Sequence, residues 1–146
     1  FLPTAQWRKS AVAMSSTHDL PPVAGWLQGR DLQWRRQLGW NDDDADQAQA
    51  LQRQAEVQQL AALVQAEDVD SGDLQRDALA LTARAPSVLA LLPLEDATAS
   101  IEQPNLPGTV QAHPNWCRRM APHGDAAAIE GRLAAFAAQR RQGAAA

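Results

Sequence analysis

The chain has 146 residues, a length that fits a single domain of ordinary size. Its net charge of −4 argues against a nucleic-acid partner, which would need a basic surface. A single cysteine excludes both a framework of internal disulfides and a zinc site built from several thiolates. No apolar stretch approaches the ~20 residues that span a bilayer, so we expect no membrane partner. The first residues, Phe-Leu-Pro-Thr, are neither an initiator methionine nor a signal peptide, and we expect the chain to begin inside a longer protein.

The first part of the chain predicts one helix after a proline-containing turn. Residues 7–16 form a short, moderately apolar segment to which the sequence assigns no regular element. Two consecutive prolines, Pro21 and Pro22, then stop regular structure. Residues 23–38 are predicted to form a single helix, and Gly39 ends it because glycine is favoured just past a helix C-terminus.

The glutamine-rich middle of the chain predicts an amphipathic surface helix over residues 45–66. An acidic run at residues 41–44 precedes it. We interpret this run as favourable charge at the positive end of the helix dipole. A calcium loop would need alternating ligands, a central glycine and a distal glutamate, all of which are missing. The apolar stripe of the helix consists of Val57, Leu60, Ala61 and Val64.

The second half of the chain predicts a helix, a strand, a loop and a final helix. The first of these helices is capped by Ser71-Gly72-Asp73 and ends at Pro86. Residues 88–92 are continuously apolar and favour a buried parallel strand, although a short core helix has the same pattern. Asp125 caps the final helix, and residues 142–146 are expected to fray. This order of elements is typical of a piece of an α/β protein. The stripe of the helix before Pro86 consists of Leu74, Ala78, Leu81 and Ala85.

Three loop motifs carry side chains that could do chemistry. In His18-Asp19, the carboxylate could stabilise an oxocarbenium-like transition state and the histidine could bind hydroxyls, although a dipeptide alone is more often a turn or a cap. Residues 105–109 and 113–116 form further polar loops, whose simplest interpretation is turn chemistry and packing. Cys117 shows no activating base, so we do not expect it to be a nucleophile. The histidines also lack metal-ligand spacing, so we expect no metal site; they are His18, His113 and His123.

Taken together, the order and spacing of these motifs closely resemble bacterial 4-alpha-glucanotransferases, the amylomaltases or disproportionating enzymes of glycoside hydrolase family 77. Residues 16–26, followed by Gly29-Arg30-Asp31, resemble the family stretch S-T-H-D-L-P-T-x-A-G-[WF]-W-x-G-R-D. Residues 105–119 resemble its C-terminal signature N-[LIV]-P-G-T-x-x-x-H-P-N-W-R-R-R. Leu94-Glu95-Asp96 resembles the L-E-D that follows the last barrel strand of the family. The resemblance extends from Phe1 to about Arg141 and is weakest in the glutamine-rich middle.

The resemblance implies an α/β fold that is the C-terminal part of a (β/α)8 TIM barrel, mostly helical in this fragment. Residues 1–146 would extend from the loop after the seventh strand to the closing helices, with no separate domain. The missing N-terminal part of the same barrel would then be a structural partner of this chain. Active-site residues of such barrels lie on the loops at the C-terminal ends of the strands, where both signatures would fall.

The resemblance also implies a reaction, the retaining transfer of α-1,4-glucan segments to the 4-hydroxyl of an acceptor glucan or glucose. Asp19 would be the carboxylate that stabilises the transition state. The nucleophile and the acid/base are expected upstream of this chain, so the fragment alone should be inactive. No cofactor or metal is implied, and a cytoplasmic location is expected. The residues expected to bind substrate are His18, Asn105, Gly108 and Thr109.

The chain departs from the family pattern at a few positions that leave His18, Asp19 and Asn105 in place. The departures are Pro22 for Thr, Gln111-Ala112 for an acidic pair and Cys117 for Arg.

Two alternatives to an active transferase stay open, and neither is excluded by the sequence. One is a non-catalytic helical binding or scaffold module, or an inactive remnant, derived from the same barrel. The other is a related α-glucan-active barrel with a different acceptor.

The tryptophans could be core anchors, which we favour for most of them, or flat faces for a sugar ring; they are Trp7, Trp26, Trp34, Trp40 and Trp116.

Overall fold

The computed structural model describes residues 1–119 and 125–144. These residues form a mostly helical α/β structure with a small sheet, which agrees with the fold class expected from the sequence. Within these residues, no helix combines the length and the apolar character needed to cross a membrane. After a short 3-10 turn at Thr4–Gln6, the elements are β1 (Val12–Met14), α1 (Val23–Leu27), α2 (Arg30–Gln37), α3 (Asp43–Ala66), α4 (Leu74–Arg84), β2 (Leu89–Leu91), α5 (Leu94–Ala97) and α6 (Ala126–Ala144).

The two strands form a parallel sheet in which Ala13 of β1 pairs with Ala90 of β2. The predicted parallel strand at residues 88–92 is therefore confirmed as β2, but the prediction that it is buried is wrong, because Leu89 and Leu91 are exposed. The sequence assigned no element to residues 7–16 because a three-residue strand is too short to show an alternating pattern. Ala13 is buried on one face of the sheet. The opposite face is apolar and exposed, and consists of Val12, Met14, Leu89 and Leu91.

The helices pack around a core formed mainly by α3 and α4. Both predicted apolar stripes are confirmed, since Leu60 and Val64 of α3 pack with Leu81 of α4 in this core. The cap predicted before α4 forms, and a further cap, which the sequence did not assign, forms before α3. The carboxylate of Asp42 accepts a hydrogen bond from the backbone N–H of Ala45, and that of Asp73 accepts bonds from the first turn of α4. The charges and the spacing of apolar residues within 41–86 thus predicted α3 and α4 correctly.

The prediction of a single helix over residues 23–38 is wrong, because the chain turns between α1 and α2. Gly29 adopts the left-handed conformation with φ of 67°, which interrupts the helical path. Beyond the turn, Asp31 of α2 receives two hydrogen bonds from Arg53 of α3, at 2.9 and 2.8 Å. The predicted end at Gly39 is confirmed, with φ of 66° and the paired backbone bonds of a Schellman motif.

The final helix is longer than the sequence suggested. The carboxylate of Asp125 accepts the predicted capping bond, from Ala128 N at 3.3 Å. Fraying from residue 142 onward is wrong for residues 142–144, which belong to α6. A Cβ added to Gly143 would lie 2.6 Å from the carbonyl oxygen of Arg84, so the end of α6 lies against the end of α4. This tertiary contact, which the sequence does not reveal, keeps the last turn ordered; residues 145–146 lie outside the described range.

One buried carboxylate connects both ends of the loop between β1 and α1 to α5. Asp96 is 1% exposed. Its Oδ2 accepts hydrogen bonds from the hydroxyls of Ser15 and Ser16, at 2.5 and 2.8 Å, and its Oδ1 accepts one from the backbone N–H of Val23 at 2.7 Å. A buried carboxylate is tolerated when its oxygens are saturated with donors in this way. Residues 17–22 are therefore held at their two ends and project as a loop.

A close backbone contact places the chain after α5 beside α1. A Cβ added to Gly25 would lie 2.2 Å from the carbonyl oxygen of Ile101, which is closer than real Cβ contacts. Only glycine therefore allows this approach. As a result, the loop that begins near Ile101 runs alongside the first signature.

We expect Asp96→Ala to lower the free energy of unfolding of this chain by about 2–4 kcal/mol, because it leaves three donors, two of them on the buried residues Ser16 and Val23, without their acceptor. Urea unfolding followed by circular dichroism measures the change. Glu130→Ala is the control, because Glu130 is exposed on α6 and its loss should change stability by less than about 0.5 kcal/mol. Equal stability of the two variants would contradict the anchoring role of Asp96.

Candidate functional site

The two signature loops meet through the side chains of Asp19 and Asn105. Nδ2 of Asn105 donates a hydrogen bond of 2.6 Å to Oδ1 of Asp19, although the two residues are 86 positions apart. The backbone N–H of Asn105 also donates to the carbonyl oxygen of His18 at 3.1 Å. Nε2 of His18 lies 3.4 Å from the other carboxylate oxygen of Asp19. The side chains of His18 and Asp19 are 59% and 48% exposed, so both remain accessible to a ligand.

Trp116 completes this cluster in an unusual backbone conformation. Its φ is 58°, in the left-handed region that bulky residues rarely adopt. Such a conformation costs of order 1–3 kcal/mol and persists only when neighbouring structure holds it in place. Here the backbone N–H of Trp116 donates to the carbonyl oxygen of Pro104 at 3.0 Å. The indole lies 5.3 Å from the His18 ring, centroid to centroid, and the residue is 66% exposed.

The second signature loop owes its shape to the amide side chain of Asn115. Oδ1 of Asn115 accepts hydrogen bonds from the backbone N–H of Leu106 at 2.8 Å and from Nδ1 of His113 at 2.7 Å. Its Nδ2 donates to the carbonyl oxygen and the hydroxyl of Thr109, at 3.0 and 2.9 Å. This side chain thus closes the loop that presents Asn105.

Gly108 and Thr109 lie in this loop, and the structure does not bring them into the Asp19 cluster. The Thr109 hydroxyl donates to the carbonyl oxygen of Leu106 at 2.7 Å, so its described bonds lie within the loop. Gly108 adopts a φ of 85°, and a Cβ there would lie 3.7 Å from the Trp40 ring. These contacts shape the loop, and direct binding of substrate by the two residues stays a prediction.

Glu102 forms ion pairs with an arginine from each of the two signatures. It accepts a hydrogen bond from Nε of Arg30 at 2.8 Å and another from Nε1 of Trp34 at 2.9 Å, and it lies 3.3 Å from the guanidinium of Arg118. Burial by itself raises the pKa of the Glu102 carboxyl. The bonds from Arg30 and Trp34, together with the charges of Arg118 and Arg30, outweigh this effect and hold the pKa below its ordinary value. The sequence around Glu102 gives no sign of this role, because its partners lie far away along the chain.

A cleft of about 710 Å³ opens beside this cluster. His18 and Trp116 contribute to its lining, together with two carboxylates, Glu95 and Glu102. Among residues 1–119 and 125–144, no three His, Cys, Asp or Glu side chains are grouped closely enough to hold a metal ion. Cys117 is exposed and forms no disulfide among these residues. His123, which the sequence analysis considered as a metal ligand, lies outside the described range.

A carboxylate, an amide and an exposed aromatic ring that lie together on loops beside a cleft are features of a small-molecule binding or catalytic site. Comparison with known proteins narrows this class to one family. The family model described as 4-alpha-glucanotransferase matches residues 1–125. The chain therefore belongs to the 4-alpha-glucanotransferase family, glycoside hydrolase family 77, and the resemblance inferred from its two signatures is confirmed.

Individual relatives agree with this family. The chain is 32% identical over 121 residues to proteins named 4-alpha-glucanotransferase from Mycobacterium bovis and Mycobacterium tuberculosis, a match that covers 79% of this chain and 17% of those proteins. Among solved structures, it is similar to the crystal structure of amylomaltase from Corynebacterium glutamicum, with a TM-score of 0.64 and 27% identity. That match covers 95% of this chain and 22% of the amylomaltase. The chain thus spans about a fifth of the length of these relatives or less.

We expect Glu102→Gln to lower the free energy of unfolding by about 1–3 kcal/mol at neutral pH, because a neutral amide receives weaker hydrogen bonds from Arg30 and Trp34. The folded-state pKa lies below the ordinary value of 4.5. The stabilisation from ionised Glu102 is therefore complete above that pH and is lost as the pH falls through the lowered folded-state pKa.

Urea unfolding of both proteins between pH 7 and pH 3 measures this effect, and the gap between them should shrink on the acid side. Glu130→Gln on the exposed face of α6 is the control and should track the unmodified chain at every pH. A gap for Glu102→Gln that stays constant down to pH 3 would contradict the ionic role of Glu102.

Proposed function

We propose that this chain is part of a 4-alpha-glucanotransferase that transfers α-1,4-glucan segments to the 4-hydroxyl of an acceptor glucan or glucose. The observation that carries the proposal is the hydrogen bond of 2.6 Å between Asn105 and Asp19. It joins the most informative residues of both signatures at an accessible position, as a substrate site requires. Family membership supports the same activity.

In this proposal Asp19 supports the transition state without forming a covalent bond. Positive charge develops on the sugar ring as the glycosidic bond breaks, and a fixed carboxylate stabilises it. Asn105 holds one oxygen of Asp19, and His18 lies near the other. These contacts orient the carboxylate before substrate arrives, which removes a reorganisation cost from the reaction. His18 and Asn105 would also bind sugar hydroxyls with their remaining donors and acceptors.

The covalent chemistry requires two further carboxyl groups that we propose lie outside this sequence. In a retaining mechanism they are about 5–5.5 Å apart, one acting as nucleophile and one as acid/base. The nucleophile forms a glycosyl-enzyme as the acid protonates the leaving oxygen, and the acceptor hydroxyl then displaces the nucleophile while returning a proton to the base. This chemistry needs no metal or organic cofactor, and we propose none. A cytoplasmic location, expected from the resemblance, is part of the same proposal.

The site would be completed by the rest of a (β/α)8 barrel, in which β1 and β2 are the last two strands. The part of the barrel proposed for this chain then includes the seventh strand, β1, in addition to the loop after it. Two observations support this arrangement. The strands are parallel neighbours, and the His18-Asp19 loop and Leu94 both follow the C-terminal ends of their strands, where barrel active sites lie. The exposed apolar face of the sheet would then point into the packed interior of the barrel. Its four side chains are Val12, Met14, Leu89 and Leu91.

We expect Asp19→Asn to lower the rate of maltotriose disproportionation by about 100–1000-fold or more, because the amide cannot supply negative charge to the transition state. The assay uses the longest natural polypeptide that carries this sequence and measures glucose together with longer maltodextrins. Circular dichroism and the melting temperature should stay unchanged, because Asp19 is exposed.

Asp44→Asn is the control, since Asp44 is an exposed aspartate in the first turn of α3, and it should retain full activity. Near-normal transfer by Asp19→Asn would contradict the role given to that carboxylate. A natural polypeptide that binds maltooligosaccharides without transferring them would instead identify the non-catalytic binding module.

A further inference from the structure

We propose that Trp116 is a stacking platform for one glucosyl unit of a maltooligosaccharide beside Asp19. This inference rests on the proposed function, because it names a further contact of the same site. Trp116 belongs to the second signature, but the signature gives its ring no role, and a tryptophan in such a loop is more often a core anchor. Trp116 is instead 66% exposed.

The backbone of Trp116 is held in a conformation that exposes the ring. Its φ of 58° is unfavourable for a bulky residue, and Asn or Gly would adopt it with less strain. Backbone hydrogen bonds from Trp116 N to the Pro104 oxygen and from Cys117 N to the Pro114 oxygen, at 3.0 and 3.2 Å, hold the turn. Strained residues of this kind cluster at functional sites. Because the ring is held in this conformation and lines the cleft, its face is available to a ligand bound there.

The position of the ring fits a sugar that also reaches Asp19. The indole and the His18 imidazole have centroids 5.3 Å apart with their planes tilted by 44°. His18 is adjacent to Asp19 along the chain, and both rings line the same cleft of about 710 Å³. That volume lies within the range of pockets that enclose small ligands. A glucosyl unit in this cleft would therefore contact the indole and lie beside His18, the residue that precedes Asp19.

The chemistry of the cleft favours a neutral sugar over an anionic one. A pyranose ring presents C–H groups with partial positive charge, which are attracted to the electron-rich face of an indole. Hydroxyls around its edge could bond to Thr98 and Ser100, which also line the cleft. Carboxylates and guanidinium groups both line the cleft, so it lacks the charge of a single sign that marks a dedicated anion site; they belong to Glu95, Glu102, Arg118 and Arg119.

Two substitutions distinguish a stacking role of the Trp116 ring from a role in the structure of the loop. Trp116→Asn removes the ring but keeps a residue that tolerates a positive φ, whereas Trp116→Phe keeps an aromatic face. The experiment uses the longest natural polypeptide that carries this sequence. It measures the Kd for maltoheptaose by calorimetry, kcat and KM for maltotriose, and the melting temperature. Val110→Ala is the control, because Val110 is an exposed apolar residue in the same loop region.

We expect Trp116→Asn to raise Kd and KM by about 10-fold, in line with the loss of one stacked aromatic contact. Its melting temperature should be unchanged or higher, because asparagine relieves the strain at this φ. Trp116→Phe should bind within about 3-fold of the unmodified protein, and Val110→Ala should match it.

The inference is overturned if Trp116→Asn binds maltoheptaose normally. It is also overturned if the asparagine variant melts at a lower temperature and phenylalanine does not restore binding, since that pattern indicates a packing role. Either result, obtained with an unmodified protein that transfers glucan, leaves the proposed function intact. An unmodified protein that neither binds nor transfers glucan overturns both.

Discussion

The buried carboxylate of Asp96 is the constraint on which the site depends. It accepts hydrogen bonds from Ser15 and Ser16 before the His18-Asp19 loop and from the backbone of Val23 after it. Both ends of the loop are thereby fixed to α5, the short helix that follows β2. Because a charge excluded from water is tolerated only when its oxygens are satisfied, this arrangement favours a single loop geometry. The tip of the loop can then remain exposed without losing its position.

The second loop is also fixed by polar side chains, one that forms hydrogen bonds with the loop backbone and one that forms ion pairs. Asn115 closes the turn that presents Asn105, and Glu102 connects Arg30 of the first signature to Arg118 of the second. In the first loop the buried Asp96 holds the backbone on either side of the exposed Asp19, and in the second loop Asn115 and Asn105 are both half-buried. The site therefore consists of accessible side chains on firmly held backbone, the arrangement that electrostatic preorganisation requires.

The sequence predicted features whose causes are local. Helix caps and apolar stripes depend on neighbours within a turn or two, so α3, α4 and the end of α2 at Gly39 were correct. The errors arose where distant contacts decide the outcome. The left-handed turn at Gly29 splits a helix that periodicity alone would continue, and packing of Gly143 against α4 orders a predicted tail. For the site, motif resemblance identified His18, Asp19 and Asn105, but the role of Glu102 depends on partners far along the chain.

The central claim is that Asn105 supports glucan transfer mainly by holding Asp19, and a double-mutant cycle on the longest natural polypeptide tests it most directly. The quantity measured is kcat/KM for maltotriose disproportionation in the unmodified protein, in Asp19→Ala, in Asn105→Ala and in the double variant. We predict that Asn105→Ala lowers kcat/KM by about 10-fold when Asp19 is present and by only about 2-fold, from its own contact with sugar hydroxyls, when Asp19 is absent. An equal loss in both backgrounds would show that the two residues act independently and would contradict the account.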